Sequence, residues 1–138
     1  MLTEINLLSP SEKIKTELIG KKIEIGMVEF TLKEDYLVIP NEFAKIGNFE
    51  LDILAIEKKS GMIVMLDHDQ PNFIMGKVAS DLKSMVNALI PIERFFEMAS
   101  ENEDLYDDEN AMRIVTSESA NLSGGKEFEW FYDMIFGI

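Results

Sequence analysis

The sequence predicts an α+β fold in a single domain, residues 1–138, with a mostly antiparallel (mixed) sheet flanked by helices. Strand-length apolar runs occupy the first part of the chain, and segments with helical periodicity lie before and after them. That order is typical of helices gathered against an antiparallel sheet. The clearest two strands are joined by only four residues, which suits a hairpin. A chain of 138 residues is also long enough to bury a sizeable core.

The first elements are a helix and a pair of strands. Ser9 is placed to cap a helix that Gly20 ends. Lys22–Leu32 then alternates like a strand, but its phase slips by one residue at Gly26–Met27, which predicts a bulge or a tight turn. A short apolar stretch follows at Tyr36–Ile39.

The hairpin carries the strongest strand signal. Leu51–Glu57 and Met62–Asp67 are rich in branched residues and flank a connection that ends at Gly61, where a positive φ is expected. Both runs are almost continuously apolar, which predicts central strands covered on both faces. Phe73–Met75 is expected to add a short strand.

Helices fill the rest of the chain. Ser80–Asp81 opens the first, and Pro91 is expected to break or kink it. Asp108 is placed to cap a second helix, and Asn121–Gly125 is a turn cluster before a final helix at Lys126–Ile138. The apolar stripe predicted for the first helix comprises Leu82, Met85, Val86, Leu89 and Ile90.

Composition excludes several classes of protein. The chain has 13 basic and 26 acidic residues, a net charge of −13, which argues against direct binding of nucleic acid or an anionic membrane. The absence of cysteine excludes a disulfide scaffold and thiolate chemistry. No secretory signal is visible at the amino terminus, and no apolar run approaches the ~18 residues of a membrane span. These features predict a cytoplasmic protein.

The acidic excess is concentrated late in the chain. The segment from Glu97 to Glu109 contains seven carboxylates and no basic residue, and it is expected to form an acidic loop. One interpretation is a solvated loop that maintains solubility. Another is a docking surface for a basic partner, and a calcium loop is disfavoured because the central glycine is missing. The candidate partner contacts are Glu101, Glu103, Asp104, Asp107, Asp108 and Glu109.

No constellation for catalysis stands out. The one histidine, His68, lies between Asp67 and Asp69, and adjacent side chains in an extended segment point to opposite faces. Metal ligation or catalysis by His68 is therefore the lesser hypothesis beside a loop at the end of a strand. The run from Ser123 to Lys126 lacks the spacing of a phosphate loop. We expect no enzyme activity, no metal and no cofactor.

The last helix is dense in aromatic residues, five of them in the final eleven positions. Packing in the core is one interpretation, and a partner-binding or dimer patch that uses Trp130 or Phe136 is the other.

The middle of the chain resembles the SUKH superfamily, which joins bacterial toxin-immunity proteins and cell-wall regulators of the Smi/Knr type. Trp130 matches the tryptophan-bearing helix that ends many members. The other resembling segments are Phe43–Asn48, which matches a small-residue loop with glycine, Leu54–Glu57, Ser60–Asp69 and Val78–Leu82.

The resemblance implies an α+β fold and a role without catalysis. The expected function is an immunity protein that binds a cognate toxin with a basic surface, of a nuclease or other nucleic-acid-acting type, by stoichiometric docking. A Smi/Knr-like regulatory scaffold with several protein partners is the alternative, followed by a small ligand-binding or hydrolytic domain that uses His68. The oligomeric state stays open between a monomer and a weak dimer.

Overall fold

The computed structural model describes residues 23–25, 27–30 and 38–138 of the chain. The helix predicted from Ser9 to Gly20 lies outside these residues. The described residues form a six-stranded sheet and three α-helices, which confirms the α+β class.

The sheet is an antiparallel meander. Its strands are hydrogen-bonded in sequence order, and each pairs antiparallel with the next. No parallel pair occurs among the described strands, so the sheet is antiparallel rather than mixed. The strands are β1 (Ile23–Ile25), β2 (Val28–Phe30), β3 (Phe43–Phe49), β4 (Asp52–Glu57), β5 (Ile63–Leu66) and β6 (Ile74–Ala79).

The turn near the start of the sheet agrees with the sequence pattern. Ile25 pairs with Val28, so the phase slip in the strand pattern is a tight turn between β1 and β2. At the other edge of the sheet, β6 is longer than the predicted strand at Phe73–Met75.

The family resemblance implies a glycine-bearing loop at Phe43–Asn48. This expectation is wrong, because these residues belong to β3. Gly47 in this strand approaches the backbone of β2 so closely that a Cβ atom would collide with the carbonyl oxygen of Glu29. The register of β3 on β4 also shifts between Lys45 and Gly47. Glycine here permits strand pairing at close range instead of marking a loop.

The hairpin of β4 and β5 forms as predicted. Gly61 has a φ of +79°, and all four residues of β5 are buried. Alternate residues enter two separate hydrophobic clusters, so both faces of the hairpin are covered. Leu54 and Met65 belong to the large cluster that includes the helices, whereas Ile53 and Val64 belong to the smaller one.

Three α-helices follow the sheet: α1 (Leu82–Glu101), α2 (Glu109–Ser123) and α3 (Glu129–Phe136). Short 3₁₀ turns, Glu103–Asp107 and Lys126–Phe128, precede α2 and α3. Asp81 caps α1 by accepting a hydrogen bond from the Ser84 amide at 2.7 Å. No helix in the described part of the chain combines the length and hydrophobicity of a membrane span.

Two predictions about helix boundaries need correction. The helix does not break at Pro91, which is buried in the middle of a continuous α1. The turn predicted at Asn121–Gly125 starts only after Ser123, because α2 continues to that residue. The prediction that Ile90 belongs to the buried stripe is also wrong, because its side chain is 39% exposed.

The aromatic face of the last helix is buried, which agrees with the core-packing interpretation. Phe131 and Tyr132 are fully buried in the large cluster with β3, β4 and α1. The Tyr132 hydroxyl donates to the carbonyl of Val78 at 3.1 Å, and burial raises the pKa of this phenol.

Candidate functional site

The helices α1 and α2 form an antiparallel hairpin. Near the start of α1, the Ser119 hydroxyl donates to the carbonyl of Ala88 at 2.6 Å. Near its end, Phe95 and Ala99 pack with Met112 in a separate cluster. The connection between the two helices therefore lies at one end of the hairpin.

The predicted acidic loop is mostly helical, so the interpretation of Glu97–Glu109 as a loop is wrong. Its first residues are the last turn of α1, its centre is the 3₁₀ turn, and Glu109 begins α2. Glutamate is a good helix former, which favours continuation of α1 through this segment. We call its seven exposed carboxylates the acidic connection: Glu97, Glu101, Glu103, Asp104, Asp107, Asp108 and Glu109.

Two members of the acidic connection are engaged within the chain. Asp108 caps α2 by accepting a hydrogen bond from the Ala111 amide at 3.0 Å. Glu109 pairs with Arg113 one turn later, at 3.2 Å between Oε1 and the guanidinium. The sequence predicts the cap at Asp108 but not this ion pair.

The remaining candidates have no such partner. Within the described ranges, no ion pair or side-chain hydrogen bond holds Glu101, Glu103, Asp104 or Asp107. Their carboxylates are exposed at one end of a packed helical hairpin, and any partner would meet them there.

An apolar groove lies beside the acidic connection, and the sequence alone does not reveal it. The groove has a volume of about 280 Å³, and we call it the hairpin groove. Two of its side chains are exposed, Met98 by 59% and Ile114 by 71%. The main apolar lining residues are Pro91, Phe95, Met98, Leu105, Ile114 and Val115.

Trp130, the remaining candidate for partner binding, contacts other parts of the fold. Its indole N–H donates to the carbonyl of Lys77 at 2.8 Å, and its ring covers Gly76 in β6. Phe136, the other aromatic considered for a partner patch, packs against Phe95 with ring centroids 4.9 Å apart. Trp130 and Phe136 therefore both make packing contacts within the chain.

His68 lies in the turn after β5, where its main partner is Asp52. The Oδ1 atom of Asp52 accepts hydrogen bonds from the ring Nδ1 of His68 at 2.8 Å and from its backbone amide at 3.2 Å. The hydrogen bond to Asp52 raises the pKa of His68, burial opposes the increase, and the charges of Asp69, Asp52 and Asp67 add to it. Asp52 is 16 residues away, so only the pairing of β4 with β5 brings it here.

The same turn gathers one group of possible metal ligands. Donor atoms of Asp52, Asp67 and His68 lie within 4.8 Å of one another. Asp67 Oδ1, however, accepts from the amides of Asp69 and Gln70, and Asp52 Oδ1 accepts twice from His68. These hydrogen bonds give the carboxylates a role in fixing the turn. In the described part of the chain, no hydroxyl is hydrogen-bonded to His68 as a nucleophile would be.

No family model, curated protein or solved structure matches this chain.

Proposed function

We propose that this chain is an immunity protein that binds and neutralises a cognate bacterial toxin by stoichiometric docking through the acidic connection. One observation carries the proposal. Glu101, Glu103, Asp104 and Asp107 are exposed, have no ion-pair partner among the described residues, and lie together where α1 and α2 are joined.

The chemistry of such a toxin complements this surface. A toxin that acts on nucleic acid needs Lys and Arg to hold phosphates. An acidic surface that enters the same basic cleft replaces those phosphates and prevents substrate from binding. Complementary fields also accelerate encounter and disfavour wrong partners.

The helical setting of the carboxylates supports docking as well. Glu101 belongs to α1, and Glu103 and Asp107 bound the 3₁₀ turn, so their backbones are fixed before a partner arrives. A fixed backbone lowers the entropy lost on binding. The resemblance to immunity proteins of the SUKH superfamily favours the same class of function.

The direct test is reconstitution with a toxin domain sought among the proteins encoded beside this gene. We expect co-expression to restore growth and size-exclusion chromatography to yield a complex of one toxin domain with one copy of this chain. Charge reversal should weaken this complex in an acid triple variant, Glu101→Lys, Glu103→Lys and Asp107→Lys.

A matched variant controls for the loss of overall negative charge. It reverses three exposed glutamates outside the acidic connection, Glu42→Lys, Glu50→Lys and Glu127→Lys. The control triple should still protect the cell. Failure of the wild-type chain to bind or neutralise the toxin would contradict the proposal. Binding to several unrelated basic proteins without neutralisation would favour the regulatory scaffold instead.

A further inference from the structure

The hairpin groove is built from matching positions on the two helices. Pro91, Phe95 and Met98 follow one another at intervals of four and three residues and line the groove from α1. Ile114 and Val115 line it from α2. Phe95, Leu105 and Val115 also belong to the cluster around Ala99 and Met112, so the floor of the groove is the seam between the helices. Met98 and Ile114 are its exposed side chains.

The groove is large enough for side chains of a partner. Its volume of about 280 Å³ exceeds the roughly 150 Å³ of an engineered apolar cavity that binds benzene. It therefore has room for one aromatic side chain or a pair of aliphatic ones. Exposed apolar surface rimmed by polar residues is typical of an interaction site.

Charge around the groove selects its occupant. Glu101 follows Met98 by three residues and extends the same face of α1 toward the connection. Leu105 lines the groove from the 3₁₀ turn, which also carries Glu103 and Asp107. The groove therefore adjoins the acidic connection through Met98 and Leu105, although none of the carboxylates of that connection lines it.

The far part of the groove has little charge of its own. Arg94 and Glu118 line the groove with opposite signs.

From residue 91 to residue 123 the chain has nine acidic residues and two basic ones. A second copy that docked groove to groove would bring two such surfaces together, which like-charge repulsion disfavours.

We infer that the hairpin groove binds an apolar side chain of an amphipathic helical segment on a basic protein partner, whose flanking Lys and Arg residues face the acidic connection. This inference rests on the proposed function and names the chemistry of the partner's contact. A helix laid in a groove presents its apolar anchors at i, i+3, i+4 and i+7. Buried anchors of this kind set the dissociation rate, whereas surrounding charges set the association rate.

The test uses the full chain and a designed probe. The probe is a fluorescein-labelled helical peptide of about four turns, with Leu at i, i+3, i+4 and i+7 and Lys elsewhere. Fluorescence anisotropy measures its Kd. We expect Met98→Gln and Ile114→Gln to weaken binding at least about tenfold, because each removes apolar surface from the groove.

A third substitution controls for loss of any exposed apolar residue. Leu122 is 42% exposed on α2 and does not line the groove, so Leu122→Gln should change the Kd less than about twofold. Circular dichroism melts verify that each variant is folded. We expect the variants to fold because the substituted side chains are exposed. A second peptide, with Gln in place of every Leu, keeps the charge and should bind at least about tenfold more weakly.

Five outcomes overturn the inference. Equal effects of Ile114→Gln and Leu122→Gln would remove the groove as the contact, as would undiminished binding of the Gln peptide. If the acid triple weakened binding but the groove variants did not, the proposed docking surface would stand and only the groove would be excluded as a contact. If neither the acid triple nor a groove variant weakened binding, both the acidic connection and the hairpin groove would be excluded as contacts. A dimer seen by light scattering, and abolished by Ile114→Gln, would assign the groove to a second copy of this chain.

Discussion

Asp108 differs from the other carboxylates of the acidic connection because it caps a helix. Its side chain accepts the Ala111 amide at the start of α2, where a free N–H would otherwise need water. We expect Asp108→Ala to lower the free energy of unfolding by about 1 kcal/mol. Asp104→Ala, in the neighbouring 3₁₀ turn, should change it by less than about 0.5 kcal/mol. Urea denaturation measures both, and equal losses would contradict the distinct role of Asp108.

His68 gives the turn after β5 a dependence on pH. Its pKa is raised above the ordinary value of 6.5, chiefly by the hydrogen bond to Asp52. A raised pKa means that the folded state holds the proton more tightly than the unfolded chain does. The stabilisation is therefore complete below the unfolded pKa and is lost as pH rises through the folded pKa.

The expected result is a pH-dependent difference between wild type and His68→Gln. The melting temperature of the wild type should exceed that of the variant by more at about pH 5.5 than at about pH 8.5. Asp52→Asn removes the charge that favours the proton and should reduce this dependence. A difference that is equal at both pH values would show that the hydrogen bond does not depend on protonation.

At the scale of elements, the pairing of β2 with β3 depends on a glycine. A methyl group at Gly47 would meet backbone atoms of Glu29 and Phe30, which cannot swing aside as a side chain can. We expect Gly47→Ala to lower the free energy of unfolding by more than about 3 kcal/mol. Gly137→Ala is the control, because it has open space but a φ of +74° and should cost about 1 kcal/mol. A loss below about 3 kcal/mol for Gly47→Ala would show that β2 and β3 move apart easily to admit the methyl group.

The sequence predicts most elements because their signals are local. The hairpin at β4 and β5, the caps Asp81 and Asp108, and the buried face of α3 all follow from short patterns. The continuity of α1 through Pro91 does not, because packing of this helix in the core outweighs the missing N–H. The role of Gly47 does not follow from a short pattern either, since only the neighbouring strand shows why glycine is needed.

The candidate site was only partly predictable. Its carboxylates are visible in the sequence as a run of charge, but their helical setting and the engagement of Asp108 and Glu109 are not. The hairpin groove arises where two helices meet, so neither helix alone indicates it. The sequence does not indicate Asp52 as the partner of His68, because the two residues meet only through strand pairing.

At the scale of the whole molecule, charge is distributed unequally. Residues 1–90 carry a net charge of −4, and residues 91–138 carry −9. The sheet therefore contributes little to the field that a basic partner meets, and the helical hairpin contributes most of it. Such a field accelerates association and weakens with added salt.

The association rate with the proposed toxin partner, measured by stopped flow at several salt concentrations, tests docking through the acidic connection most directly. Near 0.01 M salt, where the Debye length is about 30 Å, the acid triple should associate at least about tenfold more slowly than the wild type. Its rate should also vary less with salt. The control triple changes the net charge equally but should retain most of the wild-type rate and salt dependence. Equal rates for the two triple variants would contradict docking through the acidic connection.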